Sequence, residues 1–382
     1  MTGPLTLTVA VGTRPEVVKL APVVAALRAA GHRVRCVATG QHADPRLAGR
    51  LFAELGCPPD ATWRLDGDEG ARVGSLLAQA YGELAEHRPD AVVVLGDTYT
   101  APLVAMAGRR AGVGVVHVEA GLRSFNDLSM EESNRRMLAS LATVHLAPTE
   151  LARTFLLQEG VDPARVRVVG NPVLDAVRAE GVERVALHDR SGVLVTAHRA
   201  TNVDDPVRLA ELVSLVIRLA ERHGGVLFPV HPRTRDRLHA AGRWEELQSA
   251  PGVRLVEPLG YVELLRALAA SRLVVTDSGG IQEEASYLGV PVVVMRTTTP
   301  RWEGVRTGAA VLTGLHEERV LSAAERYADD AEAERVAELV CPYGDGRTAA
   351  RIVEVLDEPA LRALLVPAEP ALAEALPDRV PA

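Results

Sequence analysis

A chain of 382 residues is long for a single hydrophobic core, and 47% hydrophobic against 24% charged residues excludes a disordered chain, so two domains are expected. A net charge of −8 without any basic run argues against a nucleic-acid surface, and no apolar stretch approaches the length that spans a bilayer. Cys36, Cys57 and Cys341 form no CxxC pair and the N-terminus shows no signal-peptide pattern, so reduced thiols in a cytoplasmic protein without zinc staples are expected.

The chain reads as repeated strand–helix units. Leu5–Val11 is an apolar run, followed by a helix over Pro15–Ala30 with Pro15 in its first turn. Val34–Ala38 is the second strand, with Cys36 in its core. Ala91–Leu95 and Val113–Val118 are continuous apolar runs of the kind found in parallel strands buried on both faces, with helices over Arg72–His87 and Ala101–Ala111. Val144–Ala147 and Val166–Val169 extend the series to Gly170-Asn171-Pro172. It then restarts with strands at Gly192–Thr196, Val226–Val230, Val253–Val256, Leu273–Thr276 and Val292–Met295, and helices at Pro206–His223, Val262–Ala270 and Ile281–Leu288. The pattern predicts two Rossmann-like, doubly wound parallel-sheet α/β domains, residues 1–172 and 173–358, with a Pro- and Ala-rich tail over 359–382 that forms a helix able to pack on the first domain.

Ligands of such sheets sit outside the carboxyl ends of the strands, so the residues there are the first candidates for function. They are Gly12-Thr13-Arg14-Pro15-Glu16 with Lys19 one turn later, Thr39-Gly40-Gln41-His42, Gly96-Asp97-Thr98, Glu119-Ala120-Gly121-Leu122-Arg123, and Glu131-Glu132 at a helix start. The second half contributes Ala197-His198-Arg199, His231-Pro232-Arg233 and Thr276-Asp277-Ser278-Gly279-Gly280-Ile281-Gln282-Glu283-Glu284. In the last of these, a strand feeds a serine and two glycines that open a helix. Backbone N–H groups at a positive helix end form an anion site, and paired glycines let a diphosphate approach. Glu283 or Glu284, a turn further in, could accept from ribose hydroxyls. Taken singly, Asp97 could cap a helix and His231 could serve a backbone carbonyl.

The strings GTRPEVVKLAPV, VLGDT, HVEAGLRSF, EESNRR, TAHR, DSGGIQEEASYLGVPVV and PYGDGRTAARIV resemble, in order and over nearly the whole chain, the bacterial non-hydrolysing UDP-N-acetylglucosamine 2-epimerases. The resemblance implies two Rossmann-like domains facing across a cleft, as in GT-B glycosyltransferases. It implies interconversion of UDP-GlcNAc and UDP-ManNAc without metal, nicotinamide or other cofactor. The family's route eliminates UDP across C1–C2 to 2-acetamidoglucal and adds it back while a proton reaches C2 from the other face. It therefore needs a base, an acid and cations for the diphosphate.

Carried over by position, Asp97, Glu119 and Glu131 are the sugar-pocket carboxylates and His198 the active-site histidine. The order of base and acid stays open, and the convergence of three acids is expected to raise the pKa of the one that acts as base. Arg14, Lys19, Ser278, Gly279 and Gly280 correspond to the diphosphate ligands, Glu284 to the ribose ligand, His231 lies near the nucleotide, and Arg301 sits where the family has a substrate-binding arginine in a loop that points to the cleft. Pro258–Tyr261 is expected at the uracil. Departures from the family pattern are Met130 in place of a proline, and Pro300 and Trp302 in the loop that carries Arg301. Asp44 and Ala200 stand where members activated by a second UDP-GlcNAc carry a glutamine and an arginine, so that second site is expected to be weakened. A homodimer is implied, as is closure across a hinge near Asn171–Pro172. A modified UDP-N-acetyl sugar as substrate, hydrolysis to ManNAc and UDP, and a glycosyltransferase or nucleotide-sugar sensor on the same fold are the alternatives.

Overall fold

Runs rich in Val, Leu and Ala favour extended backbone and, where apolar throughout, demand cover on both faces, which a parallel sheet flanked by helices supplies. The computed structural model describes residues 3–41, 52 and 55–366. In it these runs form two all-parallel sheets. The first contains β1 (Thr6–Val11), β2 (Arg33–Ala38), β3 (Ala61–Thr62), β4 (Ala91–Leu95), β5 (Gly114–Val118), β6 (Val144–Ala147) and β7 (Val166–Val168) in the order β3-β2-β1-β4-β5-β6-β7. The second contains β8 (Val193–Thr196), β9 (Val226–Pro229), β10 (Val253–Val256), β11 (Leu273–Thr276), β12 (Val292–Val294) and β13 (Ala310–Leu312) in the order β10-β9-β8-β11-β12-β13. Leu7 pairs with Ala91 where β1 meets β4, and Val193 with Leu273 where β8 meets β11. At these two places the winding reverses, opening the crevice in which such sheets bind ligands.

The edge strands β3 and β13 have no counterpart in the sequence reading. They pair on one side only and are too short to show a period. Apolar layers cover both faces of each sheet, and Val92, Val93 and Val94 in β4 are all buried. Burying each such side chain is worth about 1.5–3 kcal/mol.

The chain passes between the two sheets twice, and the two passages lie side by side. Asn171 N–H donates to Tyr343 O at 2.9 Å, and the buried Asp175 carboxylate accepts from the N–H groups of Thr348 (2.9 Å) and Ala349 (2.8 Å). Helix Thr348–Asp357 then joins the first sheet's core through Ile352 and Leu356, and helix Pro359–Leu365 follows it with Leu361 and Leu365. Both helices therefore pack on the N-terminal unit. Residues 367–382 of the expected tail lie outside the described residues. Among the described residues, no helix is long and apolar enough to cross a membrane. Cys36 and Cys57, distant in sequence, are buried with their sulfurs 3.9 Å apart, and both are free.

Candidate active site

A cavity of about 840 Å³ lies between the carboxyl ends of the two sheets. Arg14, Lys19, Asp97, Glu119, Glu131, His198, His231, Ser278, Gly279, Gly280, Glu284 and Arg301 all line it, as do Pro258, Leu259 and Tyr261. Residues far apart in sequence meet here because consecutive strand ends of both sheets point into the same gap.

The first helix, Arg14–Ala29, is placed by a capping box. Glu16 Oε2 accepts from the N–H groups of Gly12 (2.5 Å) and Thr13 (3.2 Å), while Oε1 accepts from the Thr98 hydroxyl at 2.6 Å. The loops after β1 and β4 are thereby tied together. Glu16 is buried, and burial pushes its carboxyl up to about 7 despite those donors. One turn on, Lys19 is buried between two carboxylates. Its ammonium is paired with Glu119 and lies 3.2 Å from Glu283 Oε2. Glu119 adopts φ +63, a left-handed conformation costly for a side chain bearing Cβ, directly after β5. Burial opposes its ionisation, but the charges of Lys19 and Arg301 outweigh burial and hold its carboxyl below the usual range.

Asp97 accepts from Arg135, whose guanidinium also bonds Glu132 at 2.8 Å. Glu131 sits exposed in the first turn of helix Met130–Leu141, accepting from the Ser129 hydroxyl at 2.5 Å. Partial desolvation at the cleft pushes its carboxyl up, but the Ser129 bond and nearby Arg199 and Arg135 bring it below the ordinary value. The expected upward shift is thus absent at Glu119 and Glu131, because each has basic neighbours or hydrogen-bond donors of its own. Glu16 and Glu284 are the cavity carboxyls that are raised. Burial lifts Glu284 to about 7, with Lys19 opposing and Glu283 adding to the shift.

On the opposite wall, His198 Nδ1 lies 3.1 Å from the fully buried Asp277, which also accepts from the N–H groups of His198 and Arg199 and from Asn202. Burial pushes the Asp277 carboxyl up, and the bond and charge of His198 more than reverse it. A proton shared with Asp277 at Nδ1 leaves Nε2 for a ligand. The His231 ring is 5.5 Å from His198, and its Nδ1 accepts from Arg233 N–H at 3.2 Å. Burial, then the neighbouring His198 and Arg233, lower its pKa.

Ser278 is the N-cap of helix Gly279–Leu288, and its side chain makes no capping bond. A Cβ on Gly279 would stand 3.3 Å from Arg301 Nη1, whereas one on Gly280 would meet nothing within 4 Å. Across the cleft, Trp302 Nε1–H donates to Arg123 O at 2.9 Å, and the Thr149 hydroxyl donates to Glu303. Ala200 begins the short helix Ala200–Val203 and is exposed, while Asp44 lies outside the described residues.

Sequence reasoning gave no role to four residues and misplaced a fifth. Glu283, offered with Glu284 as a ribose acceptor, is fully buried and does not line the cavity, and Glu16 and Asp277 lie within the quoted motifs, but nothing in their spacing marks any of the three as buried. Arg135 could have been found from its i,i+3 spacing to Glu132. Arg296 lines the cavity, and its side chain takes part in no ion pair among the described residues. Burial, followed by Arg199, Arg301 and Arg135, lowers it to about 9.

Two parallel-sheet units that meet strand end to strand end around a cleft lined by both carboxylates and basic side chains define an enzyme of the GT-B-like, nucleotide-sugar-handling class. The calicheamicin glycosyltransferase CalG4 shares the fold with a TM-score of 0.57 at 17% identity, covering 93% of this chain and 99% of that one. The family model for UDP-N-acetylglucosamine 2-epimerase matches residues 25–357, and the chain belongs to that family. The UDP-N-acetylglucosamine 2-epimerase of Methanocaldococcus jannaschii is 35% identical over 365 residues, covering 92% of this chain and 98% of its own. Its structure with UDP-GlcNAc and UDP superposes with a TM-score of 0.81 at 33% identity, covering 92% of this chain and 99% of that one. The UDP-2,3-diacetamido-2,3-dideoxy-D-glucuronate 2-epimerase of Pseudomonas aeruginosa is 33% identical over 362 residues, covering 91% of this chain and 98% of its own.

Proposed function

We propose that this chain interconverts UDP-GlcNAc and UDP-ManNAc by eliminating UDP to 2-acetamidoglucal and adding it back. The observation that carries this reading is one cleft lined by Asp97, Glu119, Glu131 and His198 together with Arg14, Lys19, Arg301 and the Ser278–Gly280 turn. In the forward direction a base takes the C2 proton, the C2–H electrons form the C1–C2 double bond, and the C1–O pair leaves with UDP. In the return, the C1–O bond re-forms while a proton is delivered to the opposite face of C2.

Arg14, Lys19 and Arg301, with the start of the Gly279–Leu288 helix, are the groups suited to the diphosphate charge as C1–O breaks. Glu284 is suited to the ribose hydroxyls. His198, held by Asp277 at Nδ1, can exchange a proton or donate a hydrogen bond through Nε2.

The test is proton NMR of UDP-GlcNAc with the protein in D2O. UDP-ManNAc with deuterium at C2 of both sugars supports the reading, and free ManNAc with UDP replaces it with hydrolysis. Silence with UDP-GlcNAc but turnover of a diacetamido-uronate nucleotide favours the second reading. That reading is supported by the Pseudomonas relative and by Arg296, a cavity cation without an ion-pair partner among the described residues, which suits a sugar carboxylate.

The working unit on this reading is a cytoplasmic homodimer. Light scattering at the monomer mass overturns it. With Asp44 and Ala200 in place of groups suited to an anion, we expect hyperbolic initial rates in UDP-GlcNAc, and sigmoidal rates refute that part.

A further inference from the structure

Glu283 is fully buried and does not itself line the cavity, yet it holds two cations that do. Its Oε1 accepts from Arg301 Nε at 2.8 Å and from Asn171 Nδ2 at 2.9 Å, and its Oε2 lies 3.2 Å from Lys19 Nζ. These donors come from three places: the first helix of the N-terminal unit, the passage between the units, and the loop after β12. A ligand could not reach Glu283 without displacing them. Lys19 and Arg301 face Glu119 and Glu283, so the pair of cations meets an equal carboxylate charge before any anion enters.

We propose that Glu283 is a positioning residue that sets how tightly the cleft holds a diphosphate, fixing Lys19 and Arg301 in place and offsetting part of their charge so that product is released. The proposal rests on the UDP-sugar reading for its ligand, though not for its electrostatics. Loss of the Glu283 charge leaves two cations with one carboxylate, which strengthens attraction for an anion while loosening Arg301. A residue that only supported the fold would have the opposite effect, since its loss would weaken binding and stability together.

The experiment compares wild type, Glu283→Gln and Glu283→Asp by calorimetry with UDP and with inorganic pyrophosphate, by steady-state kinetics and by thermal melting. For Glu283→Gln, we expect Kd for both anions and KM for the sugar nucleotide to fall about tenfold, with kcat falling by a comparable factor as release slows. Glu283→Asp keeps the charge but draws the carboxylate back by one methylene. It should bind UDP within about twofold of wild type and lose turnover. Weaker anion binding in a folded Glu283→Gln overturns the proposal. If that variant does not fold, weakening of UDP by more than about tenfold in a folded Glu283→Asp does the same. Tighter pyrophosphate binding by Glu283→Gln, in a protein whose wild type ignores UDP, leaves the proposal standing and removes the UDP reading instead.

Discussion

Replacing Glu16 with glutamine should stabilise the protein at pH 8 and leave it nearly unchanged at pH 4.5. Glu16 is 3% exposed and accepts from the N–H groups of Gly12 and Thr13 and from the Thr98 hydroxyl. Those donors favour the carboxylate, but burial is the larger effect and the folded carboxyl titrates at about 7 against 4.5 when free. A group raised in this way contributes its full stability below pH 4.5 and loses it as pH rises through 7, because the unfolded chain gives up the proton first. A gap of about 2.5 units corresponds to about 3 kcal/mol by pH 8, at about 1.4 kcal/mol per unit. Glutamine has no proton to lose. It can accept from Gly12 and Thr13 through its oxygen and donate to Thr98 through its amide. Urea unfolding of both proteins across pH 4.5–8 isolates the effect, since every other titrating group cancels in the difference. An advantage for Glu16→Gln that grows by about 3 kcal/mol over this range agrees with the reasoning. A difference that stays flat, or a variant that is worse at pH 8 than at pH 4.5, shows that the donors win and that Glu16 is ionised in the folded protein.

Other expectations follow from the same geometry. Lys19→Met leaves Glu119 and Glu283 buried without their ammonium, and should cost about 3–5 kcal/mol in urea unfolding at pH 7. Unchanged stability there means the pair is solvated or rearranges. Asp277→Asn removes the charged partner of His198 Nδ1 and should lower kcat about a hundredfold, with UDP affinity by calorimetry held within a few-fold. Equal losses in both would make Asp277 only a loop anchor. Gly280→Ala places its methyl in open cavity, so it should melt within a few degrees of wild type and still weaken UDP binding about tenfold. Undiminished UDP binding by this variant would put the diphosphate elsewhere.

The two-sheet architecture was legible in the sequence because most of its buried parallel strands are rich in Val, Leu and Ala and are followed by polar residues, whereas the short edge strands β3 and β13 left no such signal. The four residues carried over as catalytic and the eight carried over as substrate-binding all line one cavity, since strand ends of both units converge there. What tertiary structure decided was which acids are buried and what partners each has. Glu131 and Glu132 are adjacent, yet the first is exposed and the second buried beneath Ser124 and Arg135. Glu283 and Glu284 are adjacent too, yet only Glu284 lines the cavity, while Glu283 holds the cations behind its wall. Asp277 and Glu16 became important through a histidine and a threonine far away in sequence. Chain order records which residues follow a strand, but desolvation and Coulomb energy depend on distances across the cleft, and those exist only once both sheets have folded against each other.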